Sequence, residues 1–363
     1  TSGRTMPVEP APAPRAADAA RVVLVDRPGS VQSEILIGSP GPDRRVDSGW
    51  APFPVLAYVI GGAPNARIED EIQQDGYLQR LVAYDIDEDD TGWAWVLIPD
   101  GLELPRPAVL CIHGTTADAK DACLGVGGHP GGSNGIAVHL CKRGFVTMAP
   151  DHFCAGQRAP KEHAPYDTTE FYERHPGWSE MGKDVYDHQQ ALDVLCAMDS
   201  VDAQHIGCIG HSLGGYGTVF LAAMDERVQA AVSSCGITSW LVDPARDNWS
   251  RTAPGRYKHF PKLLPYFEAG NPPPVDIPEI MAAIAPRPLL NLSAVGNDSC
   301  FPVFEPFAEI YWQVERVYKA VGAEGEFACY FHSETHSFNA PNRALAYTWL
   351  QVKLGLEELI RLA

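Results

Sequence analysis

Gln204-His205-Ile206-Gly207-Cys208-Ile209-Gly210-His211-Ser212-Leu213-Gly214 is the stretch that decides how this chain folds. Its first six residues read as a short buried strand, and from Leu213 to Met224 the run reads as a helix. A serine at such a strand-to-helix corner sits on a strained turn, with its hydroxyl exposed above the end of the sheet. Gly210 and Gly214 flank it because side chains there would collide with the neighbouring strand and helix. The Leu213 N–H would face the same space from a helix N-terminus, where it can bind developing negative charge. Ser212 is therefore the candidate nucleophile.

Context matters more than the pattern itself. Gly131-Gly132-Ser133-Asn134-Gly135 repeats the Gly-x-Ser-x-Gly spacing, yet a glycine-rich loop precedes it and no strand does. Ser133 reads instead as the N-cap of a helix over 136–143.

Further strands are expected at 78–86, 92–99, 107–112, 145–151, 228–233, 288–295 and 327–332, with helices near 133–143, 180–198, 306–321 and 341–355. Strands alternating with helices of this length imply an α/β chain, a mostly parallel sheet with helices on both faces. A stretch rich in Pro, Trp, Tyr and Phe, 238–285, interrupts the alternation and reads as an insertion over the active-site edge. Residues 1–20 are rich in Pro and Ala. Residues 1–74 are expected to form an N-terminal extension, partly disordered or docking, and 75–363 the catalytic domain.

A serine hydroxyl attacks only when a base takes its proton, and the base needs an orienting carboxylate. Behind a corner of this kind the chain order runs serine, acid, histidine, each on a loop after a strand. Asp298 follows the strand 288–295 and His336 follows the strand 327–332. Taken alone, an aspartate in Gly296-Asn297-Asp298 is an ordinary turn residue. Asp243 is the rival acid and His332 the weaker alternative base; position after successive strands selects Asp298 and His336. A second oxyanion donor is expected in the loop after 107–112, from the backbone N–H of Thr115, with Thr116 as the fallback. His211, beside the nucleophile, reads as packing or hydrogen-bonding support.

Asp151, His152, Cys154 and His163 cluster loosely, without any recognised metal-ligand spacing, and no phosphate-cradling glycine loop occurs. No metal and no cofactor are expected. Aromatic residues in 166–178 and 239–267 either line an acyl or leaving-group pocket or pack the insertion on the core.

The 363 residues carry 45% hydrophobic and 20% charged residues, ordinary for a globular enzyme, and a formal charge of −18. That charge argues against nucleic acid or an anionic membrane as a partner, and no run is apolar for long enough to span a bilayer. Nine cysteines, several in strand-like runs, fit a reducing compartment better than a disulfide framework. A cytoplasmic location is expected; secretion stays open because the chain begins with Thr1.

Three segments carry a family resemblance: Val109-Leu110-Cys111-Ile112-His113-Gly114, the run from Val201 through Ser212 to Gly215, and Asp276 to Leu290 with its Ala285-Pro286-Arg287-Pro288-Leu289-Leu290 ending. Asp151 to Arg158 adds a fourth. On these, 78–356 resembles an α/β-hydrolase of the dienelactone-hydrolase and acetyl-xylan-esterase-like type. The resemblance implies a serine carboxylic ester hydrolase with Ser212, Asp298 and His336 as triad, acting through an acyl-enzyme on short-chain esters. Acetylated carbohydrate is favoured by that likeness alone. True dienelactone hydrolases use cysteine where Ser212 stands, so lactonase activity does not carry over. The substrate would be a small-molecule ester, and homo-oligomerisation is left open. The alternatives are an amidase or peptidase of prolyl-oligopeptidase-like type, and a non-catalytic binding protein on a hydrolase scaffold. Residues 22–74 weakly resemble a fragment of an insulinase-type peptidase, without its zinc motif.

Overall fold

The computed structural model describes residues 66–87, 89–127, 135–241, 243, 249–250, 257–296, 298–300 and 304–356. Ser133 and most of the stretch likened to an insulinase fragment lie outside the described residues. Strands β1 (Arg67–Gln74), β2 (Tyr77–Asp87), β3 (Asp90–Pro99), β4 (Arg106–Ile112), β5 (Val146–Pro150), β6 (Val201–His211), β7 (Val228–Ser234), β8 (Leu289–Ala294) and β9 (Phe327–His332) form one sheet. Their order is β1-β2-β3-β5-β4-β6-β7-β8-β9. The first three strands and the β3–β5 ladder are antiparallel; β5, β4 and β6 to β9 run parallel.

Period-two alternation sorts the central strands onto two faces. Ala108, Leu110 and Ile112 of β4 enter one apolar cluster, and Val109 and Cys111 enter the other. Strand β5 is buried throughout, as expected where helices cover both faces of a parallel sheet. Eight α-helices are described: α1 (Ile136–Cys141), α2 (Thr169–Arg174), α3 (Glu180–Cys196), α4 (Leu213–Met224), α5 (Leu264–Glu268), α6 (Ile277–Ala282), α7 (Glu305–Ala320) and α8 (Ala340–Lys353). Residues of α3, α4, α6 and α7 pack on the first face, and those of α1 and α8 on the second. Among the described residues no helix is long and apolar enough to cross a membrane.

Local chemistry sets the helix starts. Ser179 caps α3 by accepting the Gly182 N–H at 3.0 Å. Asp276 and Glu279 form a capping box at α6. The Asp276 carboxylate also accepts the Trp240 N–H at 2.7 Å, which holds the segment after β7 onto that helix.

The sheet starts earlier than the expected boundary at 75, because β1 pairs antiparallel with β2 along its whole length. Three further short helices, α2, α5 and α6, join those the sequence indicated, of which α1 spans only six residues. Strand order reverses around β4, whose chain leaves to β5 on one side and returns to β6 on the other. The crevice at the C-terminal ends of β4 and β6 is the place where open α/β sheets bind ligands.

Candidate active site

Ser212 occupies the corner between β6 and α4 with φ 57° and ψ −123°. A non-glycine residue held there costs on the order of 1–3 kcal/mol, and its neighbours must be packed to enforce it. The Ser212 N–H donates to Ser234 O of β7 at 2.8 Å. A Cβ on Gly210 would lie 2.2 Å from the Gly214 backbone, and one on Gly214 only 2.0 Å from Ile112 O. Both positions therefore require glycine for close approach.

Two loops from the far half of the sheet complete the arrangement. His336, in the loop between β9 and α8, places Nε2 2.8 Å from Ser212 Oγ. Its Nδ1 lies 3.0 and 2.9 Å from the two carboxylate oxygens of Asp298, in the loop after β8. In the neutral ring, Nδ1–H donates to Asp298 and Nε2 accepts the serine hydroxyl. Asp298 is buried, and its Oδ1 also accepts the Cys300 N–H at 2.7 Å. Burial disfavours the charged form of His336, but hydrogen bonds to Asp298 and the Cys300 thiol outweigh it and raise its pKa to about 9. His211 is buried behind, its ring stacked on Phe338 and 4.9 Å from the His336 ring. Burial, reinforced by the neighbouring His336, pushes the His211 pKa down to about 3, so it stays neutral. Its Nδ1 meets Ser234 Oγ at 3.1 Å.

The β4 loop approaches the nucleophile from the other side. A Cβ on Gly114 would sit 3.0 Å from His211 O and 3.4 Å from the Ser212 Cβ. The Thr116 N–H, the fallback oxyanion donor, donates instead to the Tyr166 hydroxyl at 2.9 Å. Thr115 is exposed in the same loop, and Leu213 opens α4 as its first residue.

A match to the model of the Abhydrolase family covers residues 60–319, well over half of the chain. The chain belongs to the Abhydrolase family. Over 304 residues this abhydrolase is 28% identical to the protein named "Putative hydrolase YtaP" of Bacillus subtilis (strain 168), covering 82% of this chain and 96% of that one. Among solved structures it resembles a glucuronoyl esterase from Solibacter usitatus, with TM-score 0.60 and 15% identity over 80% of this chain and 86% of that one. A "putative acetyl xylan esterase" from Bacteroides fragilis NCTC 9343 gives TM-score 0.58 and 20% identity, over 87% of each chain. The α/β-hydrolase fold expected from the sequence is the fold of these neighbours.

The rival residues of this abhydrolase have other partners. Asp243 is buried and takes the Trp249 Nε1–H at 3.4 Å. His332 ends β9 and turns its Nε2 toward the Cys235 thiol at 3.8 Å. The aromatic residues split less evenly than the sequence suggested: Tyr166, Phe171, Trp240, Tyr257 and Phe267 are all buried, and Tyr216 of α4 stacks within 4.5 Å of Trp249. Trp249 against Tyr216, and Phe260 between Trp240 and Phe220, pack the segment after β7 onto α4.

Sequence reasoning missed a buried polar chain beneath the Gly114–Thr116 loop. His113 Nε2 accepts the His152 N–H at 3.1 Å, and its Nδ1 meets Gly114 O at 2.7 Å. His152 Nε2 meets His113 O at 2.8 Å, and its Nδ1 meets Asp184 of α3 at 3.0 Å. Burial opposes charge on His152, yet the Asp184 carboxylate raises its pKa. His113, buried beside it, is held well below the usual range and stays neutral. Asp151 meanwhile pairs with Lys120 at 2.8 Å. The loose Asp151–His152 cluster thus braces the loop that carries Thr115. Its signal was position: it directly follows a parallel strand, as Asp298 and His336 do.

Proposed function

We propose that this abhydrolase is a serine carboxylic ester hydrolase acting through an acyl-enzyme, with a short-chain ester of a carbohydrate, acetylated sugar first, as its substrate class. The observation that carries the reading is the continuous line from Ser212 Oγ through His336 to Asp298, at 2.8 and 2.9 Å, above the strand ends where α/β sheets bind ligands. The carbohydrate assignment is supported by the names of the glucuronoyl and acetyl xylan esterases that share the fold.

The arrangement supports the following chemistry. Ser212 Oγ bonds to the ester carbonyl carbon as His336 Nε2 takes its proton. The carbonyl oxygen becomes an anion held by the Leu213 and Thr115 N–H groups. Asp298 fixes the ring orientation and stabilises the imidazolium. When the tetrahedral adduct collapses, the carbon–oxygen bond to the alcohol breaks and His336 returns the proton to that oxygen. Water then repeats the sequence on the acyl-enzyme and frees the acid.

Turnover of p-nitrophenyl acetate and of acetylated xylo-oligosaccharide by the wild type and Ser212→Ala tests this. The variant should lose at least about 10³-fold in kcat and escape labelling by a fluorophosphonate. Undiminished turnover by Ser212→Ala would overturn the triad. A wild type that cleaves the matched anilide as fast as the ester would overturn the ester assignment in favour of an amidase.

A further inference from the structure

Behind the Asp298–His336 pair, the ends of β7, β8 and β9 bring a thiol to the same carboxylate. Cys235 directly follows β7, and its N–H donates to Leu292 O of β8 at 2.7 Å, so its backbone is tied into the sheet. The side chain is buried. One ligand-type atom each from Cys235, Asp298 and His336 lies within 4.8 Å of the other two. His332 places Nε2 3.8 Å from the same sulfur. His332 is only 7% exposed, and its Nδ1 is buried without a hydrogen-bond partner among the described residues. An imidazole that has lost water at one nitrogen and turns the other onto a thiol gains little from hydrogen bonding for that burial.

We propose that Cys235, Asp298 and His336, with His332 beside the sulfur, form a site for a thiophilic divalent cation such as zinc or cadmium, and that its occupancy stops hydrolysis. Thiolate, imidazole and carboxylate are the donor set such cations select. Tetrahedral zinc with its usual bond lengths holds a sulfur and a nitrogen ligand about 3.5 Å apart. The Sγ–Nε2 separation of 3.8 Å is already close to that. Asp298 and His336 Nδ1 already lie 2.9 Å apart, so the shortening falls on the remaining separations, none longer than 4.8 Å. Binding forms a metal–sulfur bond and releases the thiol proton to solvent, with no change in oxidation state. The cation recruits Asp298 and His336 away from the serine, so cation binding and ester cleavage exclude one another. Entry is from the His336 side, where that side chain is 17% exposed and Cys300 lies at the surface.

Inhibition rests on the hydrolase reading; cation binding does not, and the test separates the two. Cadmium chloride is titrated into chelator-treated protein in thiol-free buffer, following thiolate-to-cadmium absorption in the ultraviolet and p-nitrophenyl acetate hydrolysis. The wild type should bind one cadmium per chain, with absorption and loss of activity tracking each other. Ser212→Ala should keep the absorption, which reports the site even if the esterase reading fails. Cys235→Ser, or Cys235→Ala if serine is not tolerated, should lose the absorption and need about tenfold or more cadmium for half-inhibition. His332→Gln should weaken binding, and Cys300→Ser should retain it. Cadmium absorption that persists in both Cys235 variants, or that disappears only in Cys300→Ser, would overturn the proposal. So would a wild type that shows no absorption change at tenfold excess cadmium.

Discussion

At neutral pH most copies of His336 carry a proton, because the Asp298 and Cys300 contacts raise its pKa to about 9 against the opposing effect of burial. A base must be neutral to accept the Ser212 proton. The ester kcat/KM should therefore climb about tenfold per pH unit below that value and level off above it. The titratable groups facing the ring are Asp298, Cys300, Cys235 and the neutral His211. Replacing Cys300 with serine removes one of the two contacts that raise the ring and should shift the profile to lower pH. An unmoved profile would show that Asp298 alone sets it. The linkage to stability has the opposite sense. The folded pKa lies above the unfolded value of about 6.5, so the protonated ring stabilises the fold fully below that pH and loses this effect as pH rises through about 9. Urea midpoints of the wild type and His336→Gln should converge over that window. Asp298→Asn keeps the shape of the acid but removes the charge that orients the imidazole, and should cost about 10⁴-fold in kcat.

The β6–Ser212–α4 corner works as an element only because α4 lies against the end of β4. A methyl group on Gly214 would sit 2.0 Å from Ile112 O, so Gly214→Ala must push α4 off the sheet. Overpacking of this kind costs about 1–3 kcal/mol. The same shift tilts Ser212 away from His336, and the expected loss of ester turnover is about 10²-fold or more. Gly177, with open space around its position, is the control, and Gly177→Ala should leave turnover unchanged. Near-normal turnover by Gly214→Ala would mean that the helix start is not held by close approach. Elements of this kind were legible because buried parallel strands read as unbroken apolar runs and the serine corner punctuates them. Asp298 and His336 were legible from their place after β8 and β9. Strand β1 was not, since Arg67-Ile68-Glu69-Asp70-Glu71-Ile72 lies exposed on the sheet edge and has no buried face to impose alternation. Helices α2, α5 and α6 span only five or six residues, too few for a period to show. The His113–His152–Asp184 chain and the Cys235 cluster join residues distant in sequence, with no fixed spacing to reveal them.

Across the whole molecule, the antiparallel strands β1 to β3 meet the parallel part of the sheet through the short β3–β5 ladder, four residue pairs from Ala94 to Leu97. A second connection is made of buried charge. Arg158 binds Asp90 of β3 at 2.5 Å and Asp187 of α3 at 2.6 Å, and Lys183 of α3 binds the same two carboxylates at 2.7 Å. The Arg158 side chain is 4% exposed and that of Asp187 3%. Removing one member leaves a buried carboxylate short of its counter-charge, a change that costs about 3–5 kcal/mol in comparable settings. Arg158→Met preserves much of the side-chain stem and should lower the unfolding free energy by that amount, read as a lower urea midpoint with an unchanged m-value if unfolding stays two-state. The loss should fall on the fold and spare the chemistry, because Ser212, Asp298 and His336 all lie on the β6-to-β9 side of the sheet. Specific activity per folded molecule at 25 °C should stay near wild type. A variant that keeps its urea midpoint would show that Lys183 alone satisfies both carboxylates. One that loses activity while folded would show that β3 and α3 transmit strain through Asp184 and His152 to the Thr115 loop.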